Sequence, residues 1–171
     1  MHVSTTASRN RNPTSTTMSS GTAPRGLTPE EREKLIQAAI EAKGKAYSPY
    51  SKFRVGAALF ATDGSIILGS NIENASYGGT ICAERTALVK AVSEGTKTFL
   101  AIAVTTDVDE VVSPCGICRQ FIREFCSLKT PIHMVKSSYS TANANDTVKT
   151  VLLEEILPYS FGPEHLDMPR A

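Results

Sequence analysis

The chain has 171 residues, of which 41% are hydrophobic, and carries a net charge of +1 with no tryptophan. This length and composition predict one soluble domain with one compact core. No stretch reaches the roughly 18 apolar residues that a membrane-spanning helix needs, and no signal-peptide pattern opens the chain, so neither membrane insertion nor secretion is expected.

The distribution of charge argues against a polynucleotide partner. Arg9, Arg11 and Arg25 are the only charged residues before Glu30, so the remainder of the chain is slightly acidic. Nucleic-acid-binding domains usually carry a basic stripe with aromatic side chains placed for base stacking, and no such stripe is visible beyond the first 29 residues. The sequence therefore predicts a small-molecule substrate and no nucleic-acid partner.

Residues 1–26 are rich in Ser, Thr, Asn, Pro and Gly and contain almost no large apolar side chains. Such a segment cannot bury enough surface to offset the entropy cost of ordering, so we expect a disordered extension followed by a single domain over residues 27–171. Arginine and hydroxyl residues without acids are also typical of mitochondrial targeting sequences, but the amphipathic apolar face is missing. We predict a cytoplasmic protein and leave open the nucleus as an additional compartment.

Secondary structure begins at a capping box. Thr28-Pro29-Glu30-Glu31 places proline at the first helical position, and apolar residues then recur at helical spacing as far as about Ala46. Further patterns predict strands over 53–61, 66–72, 99–105, 132–135 and 147–152 and helices over 82–93, 115–125 and 153–157. This order predicts an α/β fold, a three-layer α/β/α sandwich around a mixed five-stranded sheet.

Three of the four cysteines have the spacing of metal ligands. Cys115 and Cys118 form a Cys-x-x-Cys pair at a predicted helix start, and Cys82 opens the preceding helix. Three protein ligands leave one position of a tetrahedral Zn²⁺ open for water, which is typical of a catalytic site. We therefore predict one Zn²⁺ per chain. Disulfides are less consistent with this pattern because disulfide frameworks belong to small secreted chains, and Cys126 is predicted to be a buried thiol.

Glu84 lies two residues after Cys82, where a carboxylate can reach the water without binding the metal. Cys-Ala-Glu followed by Pro-Cys-Gly-Ile-Cys at 114–118 matches the signature of zinc nucleobase deaminases. In such an enzyme Glu84 would take a proton from the water that attacks C4 of a cytosine ring and would deliver protons to the ring nitrogen and the departing ammonia. The alternative is that Glu84 is only a favourable charge at a helix N-terminus.

Several further motifs resemble the small homotetrameric zinc-dependent cytidine deaminases, over about residues 27–166. The segments that carry the resemblance are Pro49-Tyr50-Ser51-Lys52-Phe53, Asn71-Ile72-Glu73-Asn74-Ala75, Cys82-Ala83-Glu84-Arg85-Thr86-Ala87, Ser113-Pro114-Cys115-Gly116-Ile117-Cys118-Arg119-Gln120 and Leu157-Pro158-Tyr159-Ser160-Phe161-Gly162-Pro163. The resemblance implies hydrolytic deamination of cytidine and deoxycytidine to uridine and deoxyuridine, a reaction of pyrimidine salvage. It also implies a homotetramer with shared active sites.

The resemblance assigns roles to residues around the metal. Asn71 and Glu73 alternate at a strand end, so both can face one ligand, and they would bind the ribose; solvation of the strand end is the alternative. Arg85 would hydrogen-bond the cysteine thiolates, or else form a surface salt bridge. Ala83 would offer backbone groups to the base.

Three aromatic residues complete the predicted site. Phe53 would pack against the pyrimidine ring, although a strand phenylalanine is equally consistent with plain core. Tyr77 lies in a loop and would line the pocket or an interface. By resemblance, Phe161 would be contributed to the active site of a neighbouring subunit.

Two alternative functions remain open at this stage. One is a deaminase of the same architecture that acts on another aminopyrimidine, such as a nucleoside antibiotic, or on a polynucleotide. The other is a structural zinc or redox module, which would need a fourth ligand. Cys126 is the only spare cysteine, and it lies about 12 Å from Cys118 by helix rise. His2, His133 and His165 lack ligand spacing and are interpreted as bystanders.

Overall fold

The computed structural model describes residues 25–170, so most of the predicted N-terminal extension lies outside the described residues. The helices are α1 (Pro29–Lys43), α2 (Ala83–Ser93), α3 (Gly116–Phe125), α4 (Ala144–Thr147) and α5 (Leu153–Ile156). The strands are β1 (Val55–Ala61), β2 (Ile66–Ser70), β3 (Phe99–Thr106), β4 (Pro131–Val135) and β5 (Val148–Leu152). None of the helices within 25–170 has the length and apolar character needed to cross a membrane.

The strands form one five-stranded sheet in the order β2-β1-β3-β4-β5. β3 and β4 are parallel, and the other neighbours are antiparallel. The predicted mixed five-stranded sheet is confirmed. β3 lies at its centre, and all eight of its residues are buried, as expected for a strand covered on both faces.

Helices cover both faces of the sheet, which gives the predicted three layers. On one face α1 packs through Leu35, Ile36 and Ala39 against Ala58 and Phe60 of β1. On the other face α2 and α3 pack against the alternate residues of the same strand, which are Ala57, Leu59 and Ala61. This period-2 alternation of the two cores along β1 is what a strand in the middle layer requires.

Two glycines allow the helices to lie directly on the strands. A Cβ atom at Gly69 in β2 would lie 2.4 Å from both the Ala83 carbonyl oxygen and the Ala87 nitrogen of α2. At Gly56 in β1 it would lie 2.1 Å from the Ala39 carbonyl oxygen of α1. Only glycine permits such close backbone contact. Gly69 therefore helps to fix the N-terminal half of α2, which carries the predicted metal-binding motif.

The ends of several elements differ from the sequence predictions. α1 stops at Lys43 because Gly44 caps it, and β1 begins at Val55 rather than at residue 53. β2 ends at Ser70, beyond which Ile72 makes only isolated bridges. The short helix α4 was not predicted, because the polar stretch 137–146 has no apolar periodicity from which a helix could be inferred.

Candidate metal and catalytic site

The three predicted metal ligands lie at the N-termini of two helices that pack side by side. Cys82 is the N-cap of α2, Cys115 is the N-cap of α3, and Cys118 lies buried in the first turn of α3. Their sulfur atoms lie within 4.8 Å of one another, and Cys82 Sγ and Cys115 Sγ are 3.9 Å apart. Tetrahedral Zn²⁺ with Zn–S bonds of about 2.3 Å separates its sulfur ligands by about 3.8 Å. The three cysteines could therefore hold a zinc ion.

The pKa shifts of the cysteine thiols are also consistent with a cation bound between them. Hydrogen bonds from Cys118, Arg85 and Cys115 lower the pKa of Cys82 to about 5, against the cost of burial. The pKa of Cys118 is instead raised far above its usual range, chiefly because this thiol donates to Cys82 and is itself buried. Three thiolates this close repel one another, so complete ionisation requires a positive charge between them.

Arg85 contacts this cluster from the first turn of α2. Its Nη2 donates to the Thr80 carbonyl oxygen at 3.3 Å and to Cys82 Sγ at 3.9 Å. Desolvation lowers the pKa of Arg85, but the hydrogen bonds to Cys82 and Cys118 outweigh this effect and raise it. Within residues 25–170 Arg85 forms no salt bridge, so the surface-pair alternative does not describe its position.

Glu84 is the second residue of α2, and its side chain is only 3% exposed. Burial raises the pKa of the carboxyl group, and the neighbouring Cys82 charge raises it further. A carboxyl group in this environment retains a proton more readily than one on the surface. Glu84 also lies in the wall of a cavity, together with Cys82 and Cys115.

The cavity has a volume of about 450 Å³, which is the size of a small-molecule site. It extends from the cysteine cluster to the ends of β1, β2 and β3. Its lining residues are Ser51, Phe53, Val55, Asn71, Glu73, Thr80, Cys82, Glu84, Val104, Thr106, Val112, Ser113 and Cys115. Six of the residues predicted from the sequence therefore share one cavity.

Asn71 and Glu73 line the cavity, but both already hydrogen-bond the protein. The Asn71 side chain is buried, its Nδ2 donates to the Phe53 carbonyl oxygen at 2.8 Å, and its Oδ1 accepts from the Val55 N–H at 2.8 Å. The Glu73 carboxylate accepts from the Ser51 hydroxyl and from the backbone N–H of Ser51 and Tyr50. These hydrogen bonds lower the pKa of Glu73, and the bond from the Ser51 hydroxyl has the largest effect.

The other predicted substrate contacts are placed differently. Ala83 is fully buried at the first position of α2 and does not line the cavity, although both of its chain neighbours, Cys82 and Glu84, do. Tyr77 is 76% exposed and packs against Tyr50, with ring centroids 6.0 Å apart. It lines a neighbouring cavity of about 300 Å³ that shares Glu73 with the first one. Phe161 is 57% exposed and stacks on His165, outside the cysteine cavity of its own chain.

Sequence reasoning missed several cavity residues. Val104 and Thr106 alternate on one face of β3, and Thr80, Val112 and Ser113 precede the two cysteine motifs. Thr80 and Ser113 could have been predicted as cavity residues, because each lies within two residues of a cysteine motif in the sequence. No local pattern distinguishes Val104 from the rest of a fully buried strand.

Cys126 does not belong to the metal cluster. It caps the C-terminus of α3, is 5% exposed, and burial raises the pKa of its thiol to about 12. The prediction of a buried thiol is therefore confirmed. The cluster of possible ligands within 25–170 contains three cysteines and no fourth His, Cys, Asp or Glu. This leaves the coordination shell open, as a catalytic metal site requires and a structural zinc site does not.

An α/β/α sandwich with three thiols at two helix N-termini, beside a buried carboxyl group in a small-molecule cavity, defines the class of zinc-dependent hydrolases. The family model for the cytidine and deoxycytidylate deaminase zinc-binding region matches residues 29–134. The chain belongs to this family, and the resemblance seen in the sequence is confirmed.

Individual relatives agree with this assignment. A cytidine deaminase from Halalkalibacterium halodurans is 47% identical over 137 residues, which cover 80% of this chain and 98% of the relative. One from Sporosarcina psychrophila is 47% identical over 134 residues, or 78% of this chain and 93% of the relative. The crystal structure of cytidine deaminase from Burkholderia pseudomallei is similar with a TM-score of 0.70 at 39% identity, covering 79% of this chain and 100% of that chain.

Proposed function

We propose that the protein is a hydrolytic cytidine deaminase, which converts cytidine and deoxycytidine to uridine and deoxyuridine with release of ammonia. The observation that carries the proposal is the buried Glu84 carboxyl group in the same cavity wall as Cys82 and Cys115. Cys82, Cys115 and Cys118 would hold one Zn²⁺ per chain. A bound Zn²⁺ acts as a Lewis acid that makes the attacking water acidic.

Glu84 would move the protons that the reaction requires. Its carboxylate accepts a proton from the water as the oxygen attacks C4 of the pyrimidine and passes it to the ring nitrogen N3. The carboxyl group then transfers the second proton of that water to the amino group, which leaves as ammonia. Burial raises the pKa of this carboxyl group, so Glu84 holds a proton more readily than a surface carboxylate, as a group that both accepts and returns protons requires.

The rest of the cavity suits a nucleoside. Phe53 and Val104 supply apolar surface for the pyrimidine ring, and Asn71 and Glu73 would bind the ribose. Asn71 uses one of its two amide hydrogens and one oxygen lone pair within the protein, so a donor and an acceptor are left for sugar hydroxyls. The cavity lining contains a carboxylate at Glu73 and no Lys or Arg. This charge favours an uncharged nucleoside over a nucleotide.

The assembly is part of the same proposal. Phe161 is exposed and lies outside its own chain's cysteine cavity, in a segment held against α3. We infer that it completes the active site of a neighbouring subunit in a homotetramer. The enzyme would act in the cytoplasm, in pyrimidine salvage, without a nucleic-acid partner.

The test compares wild-type protein with Glu84→Gln. Zinc content is measured per chain, and the absorbance of cytidine and deoxycytidine is followed over time. Glu84→Gln should keep its zinc and its unfolding temperature but lose about 10²- to 10⁴-fold in kcat, which is the usual contribution of a general acid–base group. Glu94→Gln, at the exposed C-terminal end of the same helix, is the matched control and should retain full activity.

Two results would contradict the proposal in different ways. Zinc-loaded wild-type protein that releases no ammonia from either nucleoside would direct the search to other aminopyrimidines. Wild-type turnover by Glu84→Gln would leave the reaction in place but remove Glu84 from it.

A further inference from the structure

Residues 50–55, which we call the wall segment, run along the cavity up to the first residue of β1 and contribute Ser51, Phe53 and Val55 to its lining. No strand neighbour pairs with most of this segment, since β1 starts only at Val55. Five of its backbone N–H groups donate instead to side chains. The acceptors are Glu73 for Tyr50 and Ser51, the Ser51 hydroxyl for Phe53, Asp107 for Arg54, and Asn71 for Val55.

The conformation of the wall segment is one that needs such support. Lys52 has a φ of 57°, which lies in the left-handed region that is unfavourable for residues other than glycine. A residue persists in that region only when its surroundings hold it there. The position of the wall segment therefore depends on the side chains that accept its N–H groups.

Asp107 is the one of these acceptors that does not line the cavity. It directly follows β3, whose last pairing with β1 joins Val55 to Thr106. Its Oδ2 accepts from the Arg54 N–H at 2.9 Å and from Arg54 Nε at 3.0 Å, and its Oδ1 accepts from Arg54 Nη2 at 2.9 Å. The carboxylate thus continues the connection between β1 and β3 by one residue beyond the ladder.

Lys43 adds a second cation from the end of α1. Its Nζ donates to the Thr106 carbonyl oxygen at 2.8 Å and lies 3.7 Å from Asp107 Oδ1. Both oxygens of Asp107 are therefore occupied by charged donors. An asparagine at this position would keep one neutral acceptor oxygen but turn its N–H₂ group toward a donor of Arg54 or Lys43, so it would replace only part of the carboxylate's bonding.

We propose that Asp107 is a positioning residue for substrate binding. It holds the backbone of Arg54 and thereby fixes the neighbouring Phe53, which lines the same cavity as Val104 and Thr106 of β3. The proposal deepens the proposed function, on which it rests for the identity of the ligand. The Arg54 side chain is half exposed, and exposed ion pairs contribute little to global stability, so the effect should be concentrated on the wall segment.

The test is the kinetics of Asp107→Asn beside Asp109→Asn. Asp109 is a matched control because it too accepts a backbone N–H and a hydroxyl, from Ser138, but it lies outside the cavity lining. Asp107→Asn should raise the KM for cytidine about tenfold, the loss expected for one hydrogen bond to a charged group, with kcat within about twofold of wild type. Asp109→Asn should leave both constants unchanged.

A purely structural role would give another pattern, in which Asp107→Asn lowers the unfolding temperature and zinc content while the KM of the remaining active protein equals that of wild type. That result would overturn the proposal, as would an unchanged KM with full activity.

Hydrogen exchange tests the anchoring without turnover. Amides of residues 50–55 should exchange faster in Asp107→Asn than in wild type or Asp109→Asn, because a neutral amide oxygen accepts from the Arg54 N–H more weakly than a carboxylate does. If wild-type protein does not deaminate cytidine, the proposed function fails, but the exchange measurement still decides the anchoring. Unchanged exchange in the wall segment would refute the proposal that Asp107 anchors this segment.

Discussion

His133 shows how a single buried polar residue can set the response of the protein to pH. It lies in β4 opposite Thr150 of β5, and its Nδ1 lies 2.8 Å from the Thr150 hydroxyl. The residue is 6% exposed. Burial lowers the pKa of His133 to about 4, and the positive charge of Arg32 lowers it further. The ring is therefore neutral in the folded protein at pH 7.

This burial predicts a loss of stability in mild acid. In the unfolded chain a histidine has a pKa of about 6.5, so the unfolded state binds its proton first as the pH falls. The penalty is absent well above pH 6.5 and grows as the pH falls through 6.5 toward the folded pKa of about 4. At pH 5 it should reach about 2 kcal/mol.

Urea unfolding of wild type and His133→Gln at pH 7.5 and pH 5.0 measures this effect, since other groups contribute equally to both proteins. The free energy of unfolding should fall by about 2 kcal/mol more in wild type than in His133→Gln. His165→Gln, which changes an exposed histidine, should follow wild type. Equal pH dependence in all three proteins would mean that folding does not lower the pKa of His133.

The predicted metal ligands and the predicted proton carrier share one property. Cys82, Glu84 and the Cys115–Cys118 pair belong to short motifs at helix starts, where the helix itself brings their side chains together. Asp107 could not be found this way because its partner, Arg54, lies 53 residues earlier in the chain. Asn71 was predicted as a site residue, but its hydrogen bonds to the backbone of Phe53 and Val55 could not be predicted, because they depend on the register of the sheet.

At the scale of elements, the site depends on how closely α2 approaches β2. The contact at Gly69 brings the backbone of Ala83 and Ala87 against the strand, and Ala83 lies between Cys82 and Glu84. Gly56 plays the equivalent role for α1 on the opposite face of the sheet. Substitutions at the two glycines therefore distinguish general destabilisation from displacement of α2, because only Gly69 touches the helix that carries Cys82 and Glu84.

Gly69→Ala should weaken zinc binding as well as folding. The added methyl group would overlap backbone atoms, which cannot rotate away, so α2 must shift at a cost of about 1–3 kcal/mol in the free energy of unfolding. Gly56→Ala should cost a similar amount but leave zinc affinity unchanged. Gly78→Ala, where an added Cβ meets nothing within 4 Å, should alter neither property.

Chemical denaturation and competition with a zinc chelator measure the two properties separately. If Gly69→Ala and Gly56→Ala lost zinc affinity equally, the metal site would respond to general destabilisation and not to the position of α2.

Element boundaries were predictable where the signal is local. The capping box at Thr28 and Glu31 is present as predicted, since it involves only residues three positions apart. The start of β1 was not predictable in this way, because residues 53 and 54 have strand-like composition but hydrogen-bond side chains in place of a strand partner. Whether an extended segment becomes a strand depends on a neighbour that a local pattern cannot reveal.

At the scale of the whole molecule, the C-terminal segment is held against the helix that carries Cys118. Arg119 donates to the Ile156 carbonyl oxygen at 2.6 Å, and Gln120 donates to the Phe161 carbonyl oxygen at 3.0 Å. Arg123, which is buried, bonds Ser160 and Glu164. These bonds fix the backbone on both sides of Phe161 while its ring stays exposed. A subunit held in this way can present the ring to a neighbour without reordering its own chain.

Subunit mixing tests whether Phe161 acts across an interface. Phe161→Ala should lower kcat/KM about tenfold or more, as expected for the loss of a buried aromatic contact with the substrate. Glu84→Gln should be nearly inactive for a different reason, since it would lack the proposed proton carrier but keep Phe161. If active sites are shared, a site in a mixed oligomer can combine Glu84 of one chain with Phe161 of the other. Co-refolding the two variants should then give more activity than the sum of the two refolded separately. If Phe161 served only its own chain, no combination would contain both groups in one site, and mixing would restore nothing.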